Sequence, residues 1–163
     1  GYWKDVGSID SLWDANLDLL SPNSLLDLND RNWKIYSRNS VMPPHYIGKD
    51  ANVQNSIISE GCEVEGFTDF SVLFPGVTVE EGASVQYSIL MPGVVVERGA
   101  RVAYAILGEN VRVGENARVG ASPEAAPPEE WGITVVGPEA QVEAGRTLKA
   151  NRMLNREGKE TVR

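Results

Sequence analysis

A 17-residue repeat runs through the middle of the sequence and restricts the fold more than any other feature. Val79 returns as Val96 and again as Val113. Other columns at the same spacing also hold residues of one kind: Ala83, Ala100 and Ala117; Val85, Val102 and Val119; Ile89 and Ile106; Leu90 and Leu107. Because whole segments repeat, the pattern predicts a solenoid in which each coil stacks on the previous one.

The spacing inside one repeat predicts the shape of a coil. An aliphatic residue is followed four positions later by a small residue, and two positions further on by the next aliphatic residue. Two corner columns hold Gly or Asn, the residues that best tolerate a positive φ, at 76, 93 and 110 and at 82, 99 and 116. We therefore expect a mainly β fold: a left-handed parallel β-helix of hexapeptide repeats, an exception to the right-handed crossover rule, preceded by a short helix and a linker.

The sequence outside the repeat suggests the limits of the parts. An apolar stripe at helical spacing follows Ser8, a candidate N-cap, and ends before Pro22. We expect residues 1–21 to close a preceding domain, 22–46 to form a linker, 47–150 to form the β-helix, and 151–163 to be a flexible tail. The chain opens on Gly1 without a preceding Met, and we interpret it as a fragment.

Two irregular steps interrupt the repeat. Only 15 positions separate Val64 from Val79, which predicts a tightened turn near Gly66. From Val113 to Val136 the step is 23, and the added residues are rich in Pro and Glu. We therefore expect a projecting loop over 120–132.

Composition argues against several classes of partner. The chain carries 15 basic and 23 acidic residues, a net charge of −8, so we expect no nucleic-acid partner. No apolar run approaches a membrane span, and the single cysteine, Cys62, cannot form an intramolecular disulfide. These features predict a cytoplasmic protein with no membrane partner. Cys62 occupies a small-residue position of the repeat, which favours a buried, unreactive thiol.

The low number of histidines argues against two kinds of enzyme that are built on hexapeptide solenoids. Many acyltransferases of this fold place a histidine between coils, and a γ-class carbonic anhydrase needs several histidines for its metal. This chain has one histidine, His45, which precedes the first coil. Neither activity is expected, although binding of acyl-CoA would revive the first.

Two sets of side chains on the coils are candidates for binding. Four arginines lie on or near outward columns and would form either a solvated face or a site for a phosphorylated effector: Arg98, Arg101, Arg112 and Arg118. A second column is predicted to face outward, beside the inward Ile57, Val72, Ile89 and Ile106: Ile58, Leu73, Leu90 and Leu107. An apolar ladder outside a solenoid needs a cover, so we expect an interface there with the Ser8–Leu20 helix, another domain or another subunit.

Several ordered motifs resemble one enzyme family. They are GYWKDVGSIDSLWDANLDLL, DRNWKIYS, PPHYI, ISEGCEVEG and SVLFPGV, and together they run from Gly1 to about Val119. In this order they are similar to the C-terminal region of bacterial ADP-glucose pyrophosphorylase, also called glucose-1-phosphate adenylyltransferase. Ser8 stands where that family usually has Thr.

The resemblance implies a nucleotidyltransferase of glycogen synthesis that forms ADP-glucose from glucose 1-phosphate and ATP with Mg²⁺. It implies that residues 1–21 end the catalytic domain, where Trp3 lines the glucose site and Asp5 helps to hold the metal. It also implies that the β-helix carries allosteric control and contacts with identical or related subunits, with a tetramer expected. The sequence shows no Gly-rich nucleotide loop, so we expect this chain alone to be inactive and to need no cofactor.

One alternative stays open on the residues alone. The chain could be a structural solenoid module that binds a protein partner through the predicted leucine ladder, with GYWKDVG serving only for packing. The presence or absence of a nucleotidyltransferase domain before Gly1 in the native protein distinguishes the two hypotheses.

Overall fold

The structure, a computed structural model, describes residues 2–28, 30, 32–33 and 41–163. An α-helix, α1 (Ile9–Leu17), is followed by a 3₁₀ turn (Asp18–Leu20) and then by short strands that wind through three sheets. The first sheet contains β1 (Tyr46–Ile47), β4 (Glu63–Val64), β7 (Thr78–Val79), β10 (Val95–Val96), β13 (Arg112–Val113) and β16 (Gln141–Val142).

The other two sheets follow the same rule of every third strand. The second contains β2 (Asn52–Gln54), β5 (Phe67–Asp69), β8 (Ser84–Gln86), β11 (Arg101–Ala103), β14 (Arg118–Val119) and β17 (Thr147–Leu148). The third contains β3 (Ile57–Ile58), β6 (Val72–Leu73), β9 (Ile89–Leu90), β12 (Ala105–Leu107), β15 (Thr134–Val136), β18 (Arg152–Leu154) and β19 (Glu160–Val162). A second 3₁₀ turn covers Pro123–Ala125.

Each coil contributes one strand to each sheet, and successive coils pair in parallel. Val79 lies beside Val96 and Val96 beside Val113, in the register that the 17-residue repeat predicts. The valines and alanines of the repeat fill the centre and are at most 1% exposed. The predicted parallel β-helix is confirmed.

The two predicted corner columns have left-handed backbone. Gly76 and Gly93 have φ of 73°, and Asn110, which follows them in the column, has φ of 56°. The second column behaves in the same way, with Asn116 at 57°. Gly and Asn hold the six predicted corner positions because most other side chains meet a steric penalty there, although Glu139 adopts φ of 59° in the next coil of the first column.

The third corner is built from aromatic residues and was not predicted. Phe70, Tyr87 and Tyr104 have φ of 47°, 48° and 52°, although bulky residues rarely adopt this conformation. Their rings stack along the solenoid: the centroids of Tyr87 and Tyr104 are 4.7 Å apart, and those of Phe70 and Tyr87 are 5.2 Å apart. Contacts between the rings help to offset the backbone cost.

The prediction of an outward leucine ladder is wrong. Leu73, Leu90 and Leu107 are 0% exposed and lie inside the solenoid, and Ile58 packs against the same core. The outward column is the neighbouring one, with Ile89 and Ile106. Along each strand, side chains alternate between the inside and the outside of the solenoid. The left-handed residue at the aromatic corner shifts this alternation by one position, so in the next strand the residues predicted to face inward face outward, and the reverse. The alternative hypothesis of a module that binds a protein partner through these leucines therefore has no exposed leucine surface to support it.

The predicted helix is confirmed as α1, but it covers the outward isoleucines and not the leucine column that it was expected to cover. The Ser8 hydroxyl accepts the Ser11 N–H at 3.2 Å, so Ser8 is the N-cap. Ile9, Leu12 and Trp13 pack against the cluster that contains Ile89 and Ile106. The Trp13 indole N–H also donates to the Tyr87 carbonyl at 2.8 Å, and this contact fixes the helix to the aromatic corner.

The irregular steps are partly as predicted. Val64 pairs with Val79 and Asn52 with Phe67, each 15 positions apart, which confirms the tight turn at Gly66. The inserted loop is also present, but Val113 pairs with Val142 rather than Val136. The register there advances by 29 positions, so the insertion is 12 residues long, twice the predicted excess.

The predicted flexible tail is instead a hairpin. Strand β18 pairs in parallel with β15, β19 returns antiparallel to β18, and Leu154 is buried in the core. The Arg163 side chain forms an ion pair with Asp10 in α1. These contacts close the C-terminal end of the third sheet. The predicted linker over 22–46 includes residues 29, 31 and 34–40, which lie outside the described residues.

Candidate functional site

In residues 2–5, which precede α1, partly buried and exposed side chains alternate. Tyr2 and Lys4 are partly buried, and both donate to one carboxylate oxygen of Asp18, Oδ2, at 3.1 and 2.7 Å. Trp3 is 85% exposed, and Asp5 is also exposed. The two predicted site residues are therefore exposed, while their neighbours Tyr2 and Lys4 contact Asp18.

The Asp5 carboxylate is oriented by its own turn. Its Oδ1 accepts the Gly7 N–H at 3.0 Å, and the carboxylate stays exposed. A carboxylate oxygen is the type of ligand that Mg²⁺ prefers, and Mg²⁺ commonly uses one or two carboxylates together with substrate phosphates. Asp5 fits one position of such a site. Within the described part of the chain, no group of three or more His, Cys, Asp or Glu residues could hold a metal.

The four candidate arginines fall into two pairs. Arg98 forms an ion pair with Glu81 at 2.9 Å, and Arg112 forms one with Glu97. Arg101 and Arg118 lie directly beside each other on β11 and β14. Among the residues that the structure describes, no carboxylate forms an ion pair with either of them.

Arg101 and Arg118 line an open groove on the second sheet. The groove has a volume of about 500 Å³, and its walls include Gly66, Gly82 and Gly120. Like charges directly opposite each other destabilise a sheet unless a counter-ion lies between them. Three acidic residues, Asp50, Glu65 and Glu81, also line the groove. An anion bound between Arg101 and Arg118 would offset the repulsion between them, and both residues line the groove.

Cys62 and His45 have the ordinary environments that the sequence suggested. Cys62 is 0% exposed, its thiol donates to the Phe74 carbonyl at 3.1 Å, and burial raises the pKa of the thiol. A buried thiol that stays protonated is a poor nucleophile. His45 is exposed just before β1.

Sequence reasoning missed Asp18 and the aromatic corner. Asp18 follows α1 and looks like any acidic residue on a helix, so only the structure shows its contacts with Tyr2 and Lys4. The regular spacing of Phe70, Tyr87 and Tyr104 could have marked the corner, but their residue type indicates a strand. In the described ranges, no helix is both long and apolar enough to traverse a lipid bilayer.

Comparisons with known proteins agree with this architecture. A glucose-1-phosphate adenylyltransferase of Bacillus mycoides (strain KBAB4) is 60% identical over 85 residues, which cover 52% of this chain and 23% of that relative. The enzyme of the same name from Bacillus anthracis is 59% identical over 85 residues, with the same coverage of both chains. This chain therefore matches less than a quarter of the length of these relatives, and the resemblance found in the sequence is confirmed.

The family comparison covers most of the solenoid. Residues 42–143 match the family described as GlmU-like, C-terminal hexapeptide. Hexapeptide repeats of this kind fit the predicted left-handed β-helix, and the matched range includes β1 to β16. Because the match extends over more than half of its residues, the chain belongs to the GlmU-like C-terminal hexapeptide family.

Proposed function

We propose that this chain is the C-terminal part of a cytoplasmic glucose-1-phosphate adenylyltransferase that makes ADP-glucose from glucose 1-phosphate and ATP for glycogen synthesis. The observation that carries the proposal is the 60% identity over 85 residues to an enzyme of that name. The exposed pair of Trp3 and Asp5 supports it, because an indole can wall a sugar and a carboxylate can bind Mg²⁺.

In this proposal the catalytic site is shared with a preceding nucleotidyltransferase domain. Trp3 contacts glucose, and Asp5 supplies one metal ligand while other ligands come from that domain and from the substrate phosphates. This chain alone is then inactive, because a single exposed carboxylate and a single indole cannot orient ATP against glucose 1-phosphate.

The test measures ADP-glucose formation by the native full-length protein and by this chain alone. We expect turnover only in the full-length protein. Asp5→Asn should lower it by about 100-fold, since loss of a group at the metal changes activity at least as much as loss of a supporting residue. Asp14→Asn, which removes an exposed charge from α1, serves as the control. Full activity of Asp5→Asn would contradict the assigned role.

We also propose that the β-helix assembles subunits, with a tetramer as the expected form. A solenoid with parallel sheets offers broad, rigid faces for such contacts. Sedimentation of this 17.8 kDa chain should give a mass that is a multiple of the monomer. A monomer at high concentration would show that assembly needs the rest of the protein.

The effector site is proposed at Arg101 and Arg118 alone, since Arg98 and Arg112 already form ion pairs. Two arginines at paired strand positions, with no ion pair to a carboxylate among the described residues, suit a phosphorylated metabolite. In the full-length enzyme, the double variant Arg101→Ala/Arg118→Ala should lose its response to phosphorylated sugars. Arg112→Ala should keep it, because neither Arg112 nor its ion-pair partner Glu97 lines the groove. A normal response in the double variant would exclude this site.

A further inference from the structure

Asp18 has contacts that helix stability does not explain. It caps the C-terminal end of α1, where a negative charge opposes the helix dipole. Its Oδ2 atom nevertheless accepts hydrogen bonds from both Lys4 and Tyr2, which lie 14 and 16 positions earlier in the chain. The pKa of Asp18 is lowered by its bond with Lys4, in agreement with an ion pair.

These bonds connect the N-terminal segment to the solenoid. Helix α1 is fixed to the aromatic corner by Trp13, whose ring also stacks on Tyr104 at a centroid distance of 5.9 Å. Asp18 begins the 3₁₀ turn that directly continues this helix. The position of Tyr2 and Lys4 is thus set by an element that is itself anchored to two coils.

We propose that Asp18 is a positioning residue: by holding Tyr2 and Lys4 on one side of the segment, it turns Trp3 and Asp5 to the opposite, open side. The inference rests on the proposed function for its catalytic consequence. The alternation of partly buried and exposed residues over 2–5 supports it, because Tyr2 and Lys4 contact Asp18 while Trp3 and Asp5 stay exposed. The Gly7 N–H then fixes the Asp5 carboxylate locally.

The test compares Asp18→Asn with Asp14→Asn in the full-length protein. Both variants remove one carboxylate from the same part of the chain, but Asp14 forms no hydrogen bond with Tyr2 or Lys4. Its charge raises the pKa of Lys4 less than the Asp18 hydrogen bond does. Hydrogen–deuterium exchange of residues 2–7 needs no substrate and should increase only in Asp18→Asn. The KM for glucose 1-phosphate should rise by about 10-fold in Asp18→Asn, as is typical when a supporting residue is lost.

Lys4→Met removes the other partner of the Lys4–Asp18 contact, and Lys4 belongs neither to α1 nor to a strand of the solenoid. The double variant Lys4→Met/Asp18→Asn should be no worse than the more affected single variant, since both remove one interaction. Exchange in Asp18→Asn equal to that in Asp14→Asn, or losses that multiply in the double variant, would overturn the inference. A wild-type protein without adenylyltransferase activity would overturn the proposed function, while the exchange data would still decide the role of Asp18.

Discussion

Gly66 shows how one residue permits an irregular coil. A side chain at this buried position would place its Cβ atom 2.4 Å from the Ala83 carbonyl oxygen and 2.7 Å from that of Glu80. Backbone oxygens cannot rotate away, so Gly66→Ala should force the two coils apart. We expect a loss of about 3 kcal/mol in the free energy of unfolding, measured with urea.

Gly145→Ala provides the control for this prediction. Gly145 has φ of 69°, but a Cβ atom added there would meet nothing within 4 Å, so its substitution tests backbone conformation without a clash. The expected loss there is about 1 kcal/mol. Equal losses at the two glycines would show that the next coil moves to accommodate a methyl group at Gly66.

At the scale of elements, helix α1 depends on Trp13. Its indole stacks on Tyr104 and donates to the Tyr87 carbonyl, so Trp13→Ala removes both contacts. We expect about 3 kcal/mol of destabilisation, as for other large aromatic truncations. Trp13→Phe keeps a ring and loses the hydrogen bond, and should cost about 1 kcal/mol. Wild-type stability of Trp13→Ala in urea unfolding would show that the helix does not depend on this anchor.

The elements also show how far the sequence could predict the structure. The strands and two corners follow from Val, Gly and Asn columns because these residues have strong, local conformational preferences. The third corner carries Tyr87 and Tyr104 in a conformation that their own preferences oppose, so only packing between coils explains it. Because the sequence did not predict that corner, Leu90 was expected to face outward and Ile89 inward, whereas the structure shows the reverse.

The candidate site was predictable in part for a similar reason. The motif resemblance picks out Trp3 and Asp5 as site residues, and the structure places both on the exposed side of the first segment. The bond between Asp18 and Lys4 spans 14 positions and follows no period. No pattern of residue types encodes such a contact, because it depends on the angle at which the chain enters α1.

At the scale of the whole molecule, a coil should be removable as a unit. Deleting residues 79–95 joins Thr78 to Val96, which pairs with Val79 in the native register. The residues that follow then move back by one coil, each into the position of the equivalent residue 17 places earlier. Gly66 then lies against Glu97 and Ala100, which replace Glu80 and Ala83. Stability in a solenoid is approximately a sum over repeats and their neighbours, so the shortened chain should unfold cooperatively.

The deletion of residues 79–96 is the matched control, because it removes one more residue and shifts the register by one. Such a slip sends the inward valines to the surface on every following strand. We expect the 17-residue deletion to keep the β-sheet signal in circular dichroism, with a urea m-value roughly a tenth smaller. The longer deletion should aggregate or remain unfolded. If both fold equally well, the columns do not set the register, and contacts at the corners and in α1 must determine it.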